Sequence, residues 1–268
     1  MKPATYCGNP RRDFLVGGSV LLAGALTGAM RTARAAGTTA DPGLLEDLVA
    51  ANRILAALDI VDGYGHVSVR HDKDPNVYLI ARSLAPESVL ATDILELDLD
   101  SRAISGDEKM YLERFIHGEI YKARPDVKAI VHHHGAAIIP FGVGSVPLRP
   151  VYHMAGFLGL GVPVFEIRDA GGETDMLVRT PELGAMLART LDDKPAVLLR
   201  GHGAAVVGDS LMQVVGRSYF MLVNARMQAQ AMAMGGEINY LSPEEILKTA
   251  DNNYDRAWEL WKRKAMGK

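Results

Sequence analysis

The hydrophobic rhythm of the chain changes several times, and each change marks an element. From Asp41-Pro42 onward, Leu44, Leu45, Leu48, Ile54, Leu55, Leu58 and Val61 recur at helical spacing, and Gly63 ends the run. The Asp-Pro start predicts an N-cap with proline at the first helical position, where its missing N–H has no intrahelical partner to lose. The rhythm then shortens. HVSVR (66–70) and VYLIA (77–81) predict two strands joined by the turn DKDPN, and ILELDLD (94–100) alternates as a third. Residues 107–123 predict a helix with Leu112, Ile116 and Ile120 as one i, i+4 stripe, closed by Arg124-Pro125-Asp126. AIVHHH (129–134) and VPVFEI (162–167) predict strands, while the Gly/Pro-rich stretch 136–162 shows no period. AVLLRGHGAAVVG (196–208) predicts two short strands around a tight Gly201-His202-Gly203 turn. Asp209 caps a long helix to Met234, stopped by Gly235-Gly236, and a capping box from Ser242 to Glu245 opens a final helix to about Lys264. Helices thus flank a block of short strands paired as hairpins. This predicts an α/β fold, a three-layer αβα sandwich with a mostly antiparallel central sheet.

The first 35 residues follow none of these rhythms. Arg11-Arg12 precedes Phe14-Leu15, then a weakly apolar Gly/Ala-rich run, then Ala33-Arg34-Ala35. This predicts a twin-arginine export signal at 1–35, cleaved after Ala35, and a periplasmic domain at 36–268. The alternative is an N-terminal membrane anchor, for which the run from Phe14 to Met30 is short and glycine-rich. Composition adds little for the rest: 48% hydrophobic and 23% charged is ordinary for a globular chain, without internal repeats or low-complexity tracts. Cleavage leaves 24 basic and 31 acidic residues, a net charge of −7. That disfavours polyanions, so no nucleic-acid partner is expected, and no membrane partner after cleavage. Cys7, the sole cysteine, lies in the signal. The mature chain therefore offers neither a thiolate nucleophile nor a thiolate metal ligand.

Histidines carry the candidate chemistry. A strand presents alternate side chains to opposite faces, so His132 and His134 look one way and His133 the other. Two unpaired imidazoles at the end of a buried strand would be poorly solvated. His202 sits between glycines, where backbone approaches closely. Three neutral imidazoles suit a divalent cation with open positions, the arrangement of a catalytic rather than a structural site. Glu113 lies one helix upstream with His117 four residues on, and a carboxylate near a metal serves as base, acid or ligand. An exposed helix glutamate is the commoner fate of such a residue.

GHVSVR, then ERFIHGEIYKARPDVKAIVHHH, then LLRGHGAAVVG together resemble the class II aldolase/adducin family over residues 43–232. The resemblance implies that His132, His134 and His202 bind one divalent metal and that Glu113, nineteen residues before His132, is the catalytic acid/base. Zinc or manganese fits best, iron or cobalt would be tolerated, and no organic cofactor is implied. The resemblance also implies a homo-oligomer, commonly a tetramer with sites at subunit interfaces.

Departures from the sugar-phosphate members narrow the expected activity. Those members hold phosphate with an asparagine in GNVS, a Thr-Gly pair, and a Ser-Ser pair before the glutamate. Here the positions read His66, Ser83-Leu84 and Tyr111-Leu112. Leucine brings no donor to a phosphate dianion. GHVSVRH, RSLAPESV, LERFIHGEIY and PLRPVYHMAGFLG are instead similar to the branch of 3-hydroxy-2-methylpyridine-4,5-dicarboxylate and dihydroxyphthalate decarboxylases. This implies a metal-dependent lyase that decarboxylates a hydroxylated aromatic or heteroaromatic acid through an enolate-like state. The small-molecule carboxylic acid would be held by His66, Arg82, Ser83, Arg149 and His153. Arginine suits bidentate carboxylate binding. Two alternatives stay open: an aldolase or epimerase for a non-phosphorylated hydroxy-carbonyl compound, and an adducin-like binding module. Binding members lack the metal histidines, which disfavours the second.

Overall fold

A computed structural model describes residues 39–104 and 108–267. The export-signal segment and Cys7 lie outside the described residues. Helix α1 (Pro42–Ala57) begins as its sequence predicts, with the Asp41 carboxylate accepting the N–H groups of Gly43 and Leu44. Strands β1 (His66–Arg70), β2 (Val77–Ala81) and β3 (Ile94–Asp98) follow. Then come α2 (Arg114–Ala123), β4 (Ala129–His133), α3 (Ile139–Val143), β5 (Val164–Phe165), α4 (Ile167–Gly171) and α5 (Pro181–Leu191). Strands β6 (Ala196–Leu199) and β7 (Gly203–Gly208) precede α6 (Leu211–Met234), α7 (Pro243–Thr249) and α8 (Asp255–Ala265).

The seven strands form one sheet in the order β3-β2-β1-β4-β7-β6-β5. Every pair is antiparallel except β5–β6 at one edge. Period-2 alternation sorts the core into two halves. Val67, Val69, Ala129, Val131, Ala204 and Val206 pack with α1 and α6 on one face. Tyr78, Ile80, Ile130, Val197, Ala205 and Val207 pack with α2 and α5 on the other. The sandwich has three layers, as the sequence predicts. Among the described residues, no helix is long and apolar enough to cross a membrane.

Several element boundaries differ from expectation, each for a local reason. Helix α2 starts at Arg114, not 107, because residues 108–112 run as a connection. There the Lys109 carbonyl accepts the Ser83 N–H and the Tyr111 hydroxyl donates to the Leu84 carbonyl. The N-cap of α6 is Ser210 rather than Asp209, its hydroxyl accepting the Gln213 N–H. The last predicted helix is two helices. The Asn252 side chain donates to the Thr249 and Met154 carbonyls, and the Tyr254 ring lies against Gly216 of α6, turning the chain before α8. Only Val164–Phe165 of the predicted VPVFEI strand is extended, because Glu166 caps α4. Helix α5 was not anticipated, although Thr180-Pro181 and the Leu183, Leu187, Leu191 stripe are helix signals.

Strands β4 and β7 pair tightly at their site end, His133 opposite Ala204. A Cβ on Gly203 would collide with the His133 carbonyl and approach His134 Cδ2 to 3.2 Å. Gly203→Ala is therefore expected to destabilise the fold by about 2–3 kcal/mol. Urea unfolding measures this, and a midpoint equal to wild type would refute the close approach.

Candidate metal centre

Alternation on β4 and its continuation carries His132 and His134 to the α2 side of the sheet, the side of Ile130. His133 turns the other way and is buried, its Nδ1 accepting the Gly135 N–H. His202 arrives from the β6–β7 turn, where Gly201 takes a left-handed φ of +64° that favours glycine. Glu113 arrives from the N-cap position of α2. The sequence-predicted quartet Glu113, His132, His134 and His202 is thus assembled from three chain segments, its candidate ligand atoms all within 4.8 Å of one another.

Hydrogen bonding fixes which nitrogens face the centre. Nδ1 of His132 lies 3.0 Å from the Ala204 carbonyl, and Nδ1 of His202 lies 3.0 Å from the Met176 carbonyl. Carbonyls only accept, so both Nδ1 atoms carry hydrogen. Nδ1 of His134 faces the Asp62 carboxylate at 3.6 Å, again an acceptor. The three Nε2 atoms therefore turn lone pairs toward one another, 3.1 Å apart from His134 to His132 and from His134 to His202. Glu113 Oε1 accepts the Val178 N–H at 2.9 Å, which aims Oε2 at the Nε2 atoms of His132 and His202, 3.4 and 3.5 Å away. Met176, with φ +69°, holds its carbonyl in place from a backbone region that non-glycine residues rarely visit.

The electrostatics match that geometry. Burial pushes the Glu113 carboxyl up, but His132 and His202 more than offset it and hold the group below the ordinary carboxylate range. Burial, then His132 and His202, push His134 down to about 4. Burial also opposes charge on His202, yet the Glu113 carboxylate raises it above the usual imidazole value. A proton on His202 answers the carboxylate alone. A divalent cation answers the carboxylate and all three lone pairs, so this donor set fits a metal.

The remaining predicted site residues fall into two groups. His66 pairs with His132 across β1–β4, its ring 5.1 Å from the His132 ring and 4.6 Å from that of Tyr111. Arg82 and Ser83 follow β2. Arg82 is paired with Asp93 at 2.7 Å and is near enough for its charge to act on the Tyr111 phenol. Ser83 is half-buried and donates its N–H to the Lys109 carbonyl. Among the described residues, no contact brings Arg149 or His153 to the quartet. Arg149 stacks on Tyr240 at 4.2 Å and is tied by its backbone to Gln228 and Asn224 of α6. His153 is exposed at the start of a 3₁₀ turn, packed edge-on to Tyr152. Sequence reasoning missed Asp62, Met176 and Val178, which orient the quartet. Two of these act through backbone atoms and leave no side-chain signature.

Comparison with known proteins agrees with this architecture. The family model described as "Class II Aldolase and Adducin N-terminal domain" matches residues 46–229. The decarboxylase tropJ of Talaromyces stipitatus is 33% identical over 237 residues, covering 78% of this chain and 89% of the relative. A 3,4-dihydroxyphthalate decarboxylase of Arthrobacter keyseri is 28% identical over 225 residues, covering 78% and 87%. In structure, the L-fuculose 1-phosphate aldolase of Glaciozyma antarctica superposes with a TM-score of 0.68 at 23% identity, covering 87% of this chain and 92% of that one. The fold matches that of the aldolase, and the decarboxylase relatives support a lyase. By its sequence over most of its length and by its fold, the chain belongs to the class II aldolase and adducin family.

Proposed function

We infer that the protein is a divalent-metal-dependent decarboxylase of a hydroxylated aromatic or heteroaromatic carboxylic acid. The observation that carries this is the convergence of three Nε2 lone pairs and the Glu113 carboxylate, in a chain whose near-full-length relatives include decarboxylases. Zinc, manganese, iron or cobalt held by His132, His134 and His202 would supply positive charge against the negative charge that develops as CO₂ departs. Glu113 handles the proton. Its Oε2, ionised and aimed at the centre, takes the proton of the substrate's ring hydroxyl and returns it to the ring carbon as the carbon–carboxylate bond breaks. The hydroxyl oxygen is left negative, so charge and atoms balance.

Tyr111 and Leu112 offer a phosphate no free donor. The Tyr111 hydroxyl is engaged with the Leu84 carbonyl, and Leu112 is 58% exposed without a polar group to offer. Together with His66, these residues favour a flat, unphosphorylated substrate, its second carboxylate or ring oxygen met by His66 and Arg82. Arg149 and His153 would serve a site completed by a second subunit, in a homo-oligomer such as a tetramer. Export by the twin-arginine route to the periplasm completes this picture, and mass spectrometry of the mature N-terminus tests it.

Purified protein should contain about one divalent metal per chain by elemental analysis. It should release CO₂ from at least one member of a panel of hydroxybenzoates and pyridine dicarboxylates. A metal-replete protein inert to the whole panel, yet forming a carbonyl product or an epimer from a hydroxy-carbonyl compound, would replace this reading with an aldolase or epimerase.

A further inference from the structure

Between β1 and α2 runs a line of buried polar side chains of which the proposed chemistry uses only His66. His66 and Ser68 point at α2 from alternate positions of β1. His117 and Tyr121 answer from the helical stripe that begins at Glu113. Tyr121 Oη lies 2.9 Å from Ser68 Oγ, Ser68 Oγ lies 2.6 Å from His117 Nδ1, and His117 Nε2 lies 2.6 Å from His66 Nδ1. All four side chains are buried. Polar groups so deep persist only where each donor meets an acceptor.

A choice of donor at one end fixes every link. The Tyr121 hydroxyl has two acceptors in reach, Ser68 Oγ at 2.9 Å and the Lys128 carbonyl at 3.4 Å. The Lys128 carbonyl already accepts the Arg70 N–H at 2.7 Å. At 3.4 Å the carbonyl is beyond the usual O–H···O range and Ser68 at 2.9 Å is within it, so we take Tyr121 as the donor and Ser68 as its acceptor. Ser68 then donates to His117 Nδ1. His117, neutral in this fully buried position, carries its one ring hydrogen on Nε2 and donates it to His66 Nδ1. His66 must hold its own hydrogen on Nε2. Among the described residues that nitrogen has no hydrogen-bond partner, yet it is not one of the polar atoms sealed from solvent. It is the open end of the line, on a ring packed against His132.

We propose that Tyr121, Ser68 and His117 are positioning residues that lock His66 as its Nε2–H tautomer, presenting a neutral N–H donor to a substrate oxygen beside the metal centre. The lock has a second effect. A nitrogen that carries hydrogen has no lone pair for a cation, so His66 stays out of the ligand set although its ring neighbours that of His132. The identity of the oxygen rests on the decarboxylase reading; the tautomer does not.

Neutron diffraction from deuterium-exchanged crystals of the purified protein tests the lock directly. Deuterium is expected on Nε2 of both His66 and His117, with Nδ1 of His66 bare. Deuterium on Nδ1 of His66 would overturn the proposal. A kinetic arm tests its use. His117→Gln places an amide nitrogen where Nε2 stood and should keep KM within about threefold of wild type. His117→Asn is too short to reach and should raise KM about tenfold, with kcat and bound metal little changed. Equal KM values in the two variants would also overturn it. Failure of the decarboxylase reading shows differently, as no CO₂ release from wild type or variants, and then the neutron map alone decides.

Discussion

Replacing His132, His134 and His202 together by alanine is expected to abolish binding of the proposed divalent metal and to cut the proposed CO₂ release by at least about a thousandfold. The size follows from what a cation contributes to a developing negative charge, several kcal/mol. About 4 kcal/mol corresponds to a thousandfold in rate. The sheet should survive, because β4 and β7 are paired through backbone atoms that these substitutions leave alone. Truncating buried His132 still leaves a cavity and frees the Ala204 carbonyl, so unfolding should occur at somewhat lower denaturant. His202→Ala alone, on a turn at the rim, is the milder version. Elemental analysis and turnover, read on the same folded sample, give the result. Unchanged ion content and unchanged rate in the triple variant would dismiss the cluster as a metal site.

Glu113→Gln separates metal binding from proton handling. The amide oxygen can still accept the Val178 N–H, so the start of α2 and the segment 176–178 should keep their places. The amide group that replaces Oε2 no longer carries charge and cannot take a hydroxyl proton at neutral pH. Turnover is expected to fall by about 10²–10⁴, the usual worth of a positioned acid–base group. Metal content should drop little, because the three imidazoles remain. A variant within threefold of wild-type kcat would show that another group moves the proton. A variant that loses its metal outright would show Glu113 to be chiefly a ligand.

The three histidines of the quartet were legible because their signals are local. A His-x-His pair at a strand end and a histidine between two glycines both state their geometry in a few residues, and period-2 alternation puts the pair on one face. Glu113 was legible only through the family resemblance, since an isolated helix glutamate is an ordinary surface residue. The buried line of His66, Ser68, His117 and Tyr121 had a signal that went unread. Polar residues at every second position of a strand whose other positions are valine, facing an i, i+4 pair on the next helix, mark a polar seam inside a core. The start of α2 was placed too early because Leu112 continues the stripe of Ile116 and Ile120, whereas long-range bonds from Ser83 and Tyr111 hold residues 108–112 out of the helix. Propensity and period see only near neighbours, and those partners are more than twenty residues away in the chain. The stretch 136–162 gave no period because it is a short helix and a 3₁₀ turn separated by Gly and Pro, each too brief to repeat.

The sheet order puts β4 at the middle, flanked by β1 and β7. Spacing between His132, His134 and His202 is therefore set by the backbone ladder and one tight turn, whereas Arg82, Ser83, Arg149 and His153 ride on connections at the periphery. Inheritance can treat these two tiers separately. Under the proposed function, a lineage is free to rewrite its peripheral segments and acquire a taste for a new acid while the ion keeps its seat, and a mutant library confined to those segments would search for new specificities with little danger of losing the proposed reaction.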